Sequence, residues 1–220
     1  MTLPRVTLCY AQTLDGRTAT ASGSSQWISG PESLRFSHGL RASHDAIMVG
    51  VGTVLADDPR LTVRLAEGRD PLRVVADSRL RTPPDAAVLR DGAGAGTILA
   101  HTGRAPADLR AALEATGATL LDLPDAPGGG VALAALLMAL DARGVRSLMV
   151  EGGARLITAM LRMRLATHMA VTLAPKILGA GTDAVGDLGI ARLGDAYSLA
   201  DVDITPYGAD LVIAGRVVYP

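Results

Sequence analysis

The sequence predicts an α/β fold: a mainly parallel central sheet flanked by helices, with an antiparallel hairpin at its C-terminal edge. Short apolar runs alternate with helical patterns through the middle of the chain, as in a parallel sheet wound with crossover helices. Leu72–Asp77 is apolar without alternation, as expected of a strand covered on both faces. The tail breaks the rule. Tyr197–Thr205 and Asp210–Tyr219 read as two strands with no helix between them, hence an antiparallel pair.

Taken in order, Arg5–Gln12 is rich in β-formers and predicts the first strand, with Asp15-Gly16 breaking the turn after it. Gly23–Ser29 is a polar loop that holds the single tryptophan, Trp27. Among serines, that ring is either a lid over a core edge or a surface that stacks on a flat ligand. Ser29 and Glu32 have capping-box spacing, and Pro31 suits a first turn, so a helix is expected from there to about Ser43. Asp45–Gly50 predicts a second strand and Gly50–Leu55 the start of a short helix. Leu55 stands where a dinucleotide fingerprint requires glycine, which argues against a standard Rossmann unit. Further on, Thr97–His101 and Ala118–Leu123 predict strands. Pro106–Thr116 and Val131–Arg143 predict helices, the second stopped by Gly144. Thr167–Ala174 predicts one more strand. Gly92–Gly96 and Gly128–Gly130 read as surface loops within one domain spanning residues 1–220.

Ser147–Ala159 is the stretch around which the rest is organised. Leu148, Met149 and Val150 end a buried strand, and Leu156, Ile157, Met160 and Leu161 follow at helical spacing. Gly152 and Gly153 at the junction let the backbone turn tightly and let a ligand approach the main chain. The first free amides of the helix then favour an anion. Glu151 closes the strand at the same edge; it is either solvated or bound to something polar, such as sugar hydroxyls. Ala56–Arg64 places paired acids and two arginines around Pro59, a loop equipped for chemistry. Ser78 and Arg79, just past a parallel strand, suit a ribose 2′-phosphate.

Composition narrows the function classes. The chain has 220 residues, 49% of them hydrophobic, and a net charge of -1, which gives no electrostatic case for nucleic acid or membrane partners. The longest apolar run, Val131–Leu140, is too short to span a bilayer, and the first residues lack a signal-peptide pattern, so a cytoplasmic protein is expected. One cysteine, Cys9, leaves no internal disulfide, and His38, His44, His101 and His168 have no zinc-type spacing, so no metal is expected. Cys9 lies inside a strand with no base nearby in sequence, which suits a structural thiol better than a nucleophile. No Gly-x-Ser-x-Gly elbow or Walker loop is present. Glycine loops, hydroxyls, arginines and carboxylates at strand ends remain, a set suited to phosphates, sugars and a flat heterocycle.

Several stretches together resemble the pyrimidine reductases of riboflavin biosynthesis, which have a dihydrofolate-reductase-like fold. They are Leu14–Arg17, Ser22–Ile28, Asp45–Thr62, Asp77-Ser78, Val150–Gly153 and Ala174–Gly179, in the family's order. The zinc deaminase domain that often precedes this reductase, with its His-x-Glu and Pro-Cys-x-x-Cys signature, is absent from the sequence. The chain therefore resembles the stand-alone archaeal and fungal reductases. The resemblance implies hydride transfer from NADPH to a phosphorylated ribosylaminopyrimidine, giving the ribitylamino product, and it implies a homodimer. It assigns Ser25, Arg41, Arg60, Leu61, Arg64 and Glu151 to the substrate. It assigns Ala11, Trp27, Thr53, Asp57, Ser78, Arg79, Gly152, Gly153, Ala154, Arg155, Leu156 and Ile157 to the cofactor. Asp57 and Glu151 are the catalytic candidates. Two positions depart from the bifunctional relatives: Cys9 stands where they usually carry Lys, and Leu165–His168 where they usually show an acidic pair. A small neutral residue at position 9 suits a 2-amino pyrimidine better than a 2-oxo one. Reduction of another heterocycle, such as a dihydropterin, and a non-catalytic nucleotide-binding role are the alternatives on the same fold.

Overall fold

The computed structural model describes residues 3–220; Met1 and Thr2, at the start of the stretch examined for a leader, lie outside it. A nine-stranded sheet runs through the protein. Its strands are β1 (Arg5–Thr13), β3 (Ala46–Gly50), β4 (Leu72–Ala76), β5 (Thr97–His101), β6 (Thr119–Asp122), β7 (Ser147–Val150), β8 (His168–Ala174), β10 (Ser198–Tyr207) and β11 (Asp210–Val218), in the spatial order β10-β11-β8-β1-β7-β3-β4-β5-β6. Strands β8 to β6 in that order are parallel; β11 and β10 add the antiparallel edge that the tail predicts. The sheet is the mainly parallel α/β arrangement with an antiparallel C-terminal edge expected from the sequence.

Five helices cover it: α1 (Pro31–Ala42), α2 (Val51–Asp57), α3 (Ala107–Glu114), α4 (Leu133–Asp141) and α5 (Ala154–Arg162). Val6, Leu8, Met48, Val74 and Ile98 pack one face against Leu136, Leu137 and Leu140 of α4 and Ile157, Met160 and Leu161 of α5. On the other face Ile47, Val49, Val75 and Leu99 pack with Val54 of α2 and Leu113 of α3. Cys9, Met149 and Ala170 continue that second face beneath Phe36 and Leu40 of α1. At Gly144 the φ is +85°, and the following amide of Val145 reaches back to Leu140, the left-handed stop that glycine permits.

Two expectations change. The Ser29–Glu32 capping box does not form. Gly30 occupies the N-cap, and the carboxylate of Asp210, far along the chain on β11, accepts from the Gly30 amide at 2.7 Å and the Ser33 hydroxyl at 2.7 Å. The acceptor that sequence assigns to Ser29 is supplied through space. A second, two-stranded sheet joins β2 (Arg17–Thr20) to β9 (Gly181–Asp183), segments for which the sequence predicts no strand. Both strands are too short to carry a period.

Candidate functional site

Because β8, β1, β7, β3, β4 and β5 run parallel, the loops after them emerge along one edge of the sheet. Adjacent strands lie about 4.8 Å apart, so the five from β1 to β5 spread their loops over about 19 Å. That edge divides into four parts.

The first is a charged cluster. Glu151 follows β7, and its amide bonds to the Met48 carbonyl at 3.0 Å, which fixes it at the sheet edge. Arg41, in the last turn of α1, grips it with a two-pronged ion pair: Nε donates to Oε2 at 2.8 Å and Nη2 donates to Oε1. Nη1 of Arg41 donates to the Thr62 carbonyl at 3.0 Å, so the pair also holds the loop after α2. Partial burial and the neighbouring charges of Arg41 and Arg60 lower the pKa of Arg64 below the ordinary arginine value. Arg41 is paired with Glu151, and the charges of Arg60 and Arg64 lie nearby, an excess of positive charge suited to a phosphate. Arg64 is presented by His38, whose Nδ1 accepts from the Arg64 amide at 2.9 Å. Burial, then Arg41 and Arg64, push His38 down to about 4, so its ring is neutral and able to accept.

Cys9 lies beneath this cluster, 2% exposed. Burial first, then the charge of Glu151, pushes its thiol up to about 12, so it is a neutral wall and no nucleophile at physiological pH. Leu61, expected to touch substrate, has its side chain in the core at 2% exposure; only its backbone, at φ +55°, faces the loop. The paired acids divide their roles. Asp58 accepts from the Ala87 amide at 2.6 Å and from Arg90 at 2.8 Å, whereas Asp57, exposed at the end of α2, makes no side-chain hydrogen bond among the described residues.

The second part is a pair of glycine turns on neighbouring strands. The Gly50 amide donates to the Gly152 carbonyl at 3.2 Å, and a Cβ on Gly153 would stand 3.3 Å from the Thr53 hydroxyl. Gly152 has φ +134°, which side-chain-bearing residues rarely adopt. The peptides Gly152–Gly153 and Gln26–Trp27 are cis. The turn delivers the start of α5 to the edge. Leu156 and Ile157, expected at the cofactor, are core residues, and both amides already bond to the Gly153 carbonyl, at 2.9 and 3.1 Å. The amides that α5 leaves to a ligand are the earlier ones, at Ala154 and Arg155. Beside them, Ala154, Arg155, Thr158 and Arg162, together with the carboxylates of Asp183 and Asp187, line a cavity of about 330 Å³.

The third part is a polar cavity of about 320 Å³ past β4 and β5, lined by Ser78, Arg79, Arg81, Arg104 and Gly128–Gly130. Asp77, fully buried, shapes its wall: one carboxylate oxygen accepts from the Thr82 amide at 2.7 Å and hydroxyl at 2.9 Å, closing the turn that presents Ser78, Arg79 and Arg81. Sequence reading found Ser78 and Arg79. It missed Arg81, two residues on in the same turn, and it missed Arg104 and the glycine triplet, which only the order of β4, β5 and β6 brings to Ser78.

The fourth part is the loop of Ser25 and Trp27, which follows β2; Ala11 lies near the end of β1. Trp27 is 65% exposed, so it is no lid over a core edge. Its backbone is held by Lys176, which lies in the Ala174–Gly179 stretch but to which the sequence assigns no role.

Among the described residues, no three His, Cys, Asp or Glu side chains gather as a metal site, and no helix is long and apolar enough to cross a membrane. A comparison with family models matches residues 4–213 to the RibD C-terminal domain. The chain belongs to the RibD C-terminal domain family. It is 44% identical over 216 residues to the 2,5-diamino-6-ribosylamino-4(3H)-pyrimidinone 5′-phosphate reductase of Methanothermobacter thermautotrophicus, covering 96% of each protein. It is 36% identical to the riboflavin biosynthesis protein RibD of Aquifex aeolicus, but spans only 57% of that protein. Among solved structures, Acinetobacter baumannii RibD superposes with a TM-score of 0.83 at 27% identity, over 98% of this chain and 58% of that one. Enterococcus faecalis dihydrofolate reductase superposes at 0.52 with 12% identity, over 96% of each, and shows the shared fold alone.

Proposed function

We propose that the chain is the NADPH-dependent reductase of a 2,5-diamino-6-ribosylamino-pyrimidinone phosphate, an oxidoreductase of riboflavin biosynthesis working as a cytoplasmic homodimer. The observation that carries this reading is the position of Glu151: it joins the arginine cluster to the paired glycine turns, so a phosphorylated sugar and a dinucleotide would meet at its carboxylate. The cofactor, when bound, supplies the hydride. The residues present suit it. Gly152 leaves room at the main chain, the Ala154 and Arg155 amides and the α5 dipole favour a diphosphate, and the cavity of Ser78, Arg79, Arg81 and Arg104 suits a 2′-phosphate.

In this reading Arg41, Arg60, Arg64 and Ser25 hold the substrate phosphate, and Glu151 accepts from ribose hydroxyls while staying paired with Arg41. Asp57, with its carboxylate unengaged, orients the nicotinamide or moves a proton. Bringing donor and acceptor together supplies most of the acceleration. The neutral, buried Cys9 lets the pocket take a 2-amino group without opposing it with a cation.

The test is loss of nicotinamide absorbance with each cofactor and with both the 2,5-diamino substrate and its deaminated 2-oxo counterpart. NADPH should be favoured over NADH, and the diamino substrate over the oxo one, each by roughly tenfold or more in kcat/KM. Equal use of both cofactors refutes the role of the Ser78–Arg104 cavity. Preference for the oxo compound refutes the reading of Cys9.

A further inference from the structure

Of the 21 Lys and Arg residues, only Lys176 is lysine. Its position rewards that choice. The Nζ donates to the carbonyl of Trp27 at 2.7 Å and to the carbonyl of Ile28 at 2.7 Å. A compact ammonium with three rotatable donors can meet two adjacent carbonyls, whereas a planar guanidinium fork matches carboxylates and phosphates.

The backbone that carries Lys176 is itself pinned. Its amide donates to the Ala174 carbonyl at 2.8 Å, and its carbonyl accepts from the Leu14 amide at 2.9 Å. Just beyond, the Asp15 carboxylate accepts from the amides of Leu178 at 3.2 Å and Gly179 at 2.6 Å, and from the Thr13 hydroxyl at 2.6 Å. The Thr13 hydrogen bond and those two amides hold Asp15 down at about 2, so it stays ionised. Arg17 Nε adds a bond to the Gly179 carbonyl at 2.8 Å. The β1–β2 turn and the loop after β8 thus form one braced platform, and Lys176 reaches from it to a loop that lacks such bracing. Trp27 itself is exposed, and apart from the lysine its carbonyl accepts no other hydrogen bond among the described residues.

We propose that Lys176 is a positioning residue that sets the Gln26–Ile28 segment, and through it the Trp27 ring, at the cofactor end of the site. This rests on the proposed NADPH-dependent reaction and on the place at the cofactor that the family resemblance implies for Trp27. The lysine touches neither reactant; its effect is on how well the loop is arranged before NADPH arrives.

Trp27 is the only tryptophan, so fluorescence reports directly on the anchored residue. The full chain is compared with Lys176→Met and Lys176→Arg by time-resolved anisotropy of Trp27 and by steady-state kinetics. Lys176→Met should speed local motion of the ring and raise KM for NADPH by about tenfold, while kcat at saturation changes by less than about threefold. Lys176→Arg, which keeps the charge but offers a planar fork to the two carbonyls, should bring KM back only part of the way, between the values of wild type and Lys176→Met. The proposal is overturned if Lys176→Met keeps the wild-type KM whatever its anisotropy, or if kcat falls while KM holds. A separate outcome belongs to the reading beneath it: if NADPH leaves Trp27 emission unquenched in the wild type and Trp27→Phe binds NADPH normally, Trp27 is not at the cofactor.

Discussion

Glu151 and Arg41 show how one contact can be both scaffold and reagent. The ion pair uses both carboxylate oxygens, yet each oxygen keeps a lone pair for a hydroxyl, and the pair stands at the site's mouth with the Arg41 side chain 11% and the Glu151 side chain 21% exposed. Glu151→Gln keeps the shape but turns an amide NH₂ toward a guanidinium, opposing donors where the native pair matches them. Substrate KM should rise about tenfold or more, while the Kd of NADPH stays within about threefold. Collapse of NADPH affinity with substrate KM intact would move Glu151 to the cofactor. His38 gives a residue-scale pH dependence. Its folded pKa of about 4 lies below its ordinary 6.5, so the neutral ring contributes stability that is complete above pH 6.5 and is lost as pH falls through 4. The loss is at most about 3 kcal/mol. Denaturant midpoints taken from pH 7 to pH 4 should fall more steeply for wild type than for His38→Asn, whose amide oxygen can still accept from Arg64. Parallel profiles would remove His38 from the account.

At the scale of elements, α1 shows where sequence reading succeeds and where it stops. Its extent was legible from Pro31 and the helical run to Ser43, because those signals are local. Its cap was not, because Asp210 is 180 residues from Gly30. Asp210→Ala leaves an amide and a buried hydroxyl without their acceptor, and should cost about 1–2 kcal/mol in urea unfolding with an unchanged m-value. Ser29→Ala should stay within about 0.5 kcal/mol of wild type. The reverse ranking would restore the capping box. The same division runs through the site. Gly152-Gly153 and Ser78-Arg79 are contiguous and were legible. Arg104 and Gly128–Gly130 join Ser78 only through the order of strands, and Leu156 and Ile157 face the core because the phase of α5 turns them there. Strands β2 and β9 escaped because their pairing, Arg17 with Asp183 and Thr20 with Gly181, joins segments that carry no signal singly.

At the scale of the whole molecule, the sheet is finished unevenly. Helices α4 and α5 cover one face from β1 across to β5, but that face continues past β8 onto the hairpin without a helix. The pairings Leu173–Leu211, Ile204–Ile213 and Pro206–Leu211 put five apolar side chains on this uncovered surface. Ile204 is 59% exposed and Leu211 45%. Strand β10 is also the free edge, ten residues long, an open row of backbone donors and acceptors that folded proteins seldom leave bare. At the far edge β6 has only four residues and exposes little by comparison. The Phe36–Tyr207 contact, with ring centroids 5.0 Å apart, ties α1 to the opposite face of the hairpin, so α1 is not available to cover this one. A second copy brought up by a two-fold axis would bury the same apolar strip on both partners. Light scattering should therefore give a dimer mass for the wild type. Ile204→Lys, which places an ammonium in the middle of the strip and is solvated in the monomer, should weaken the dimer by at least about tenfold without lowering the unfolding midpoint of the monomer. A wild-type monomer at micromolar concentration, or a dimer indifferent to Ile204→Lys, would leave this face to solvent and place the contact between subunits elsewhere.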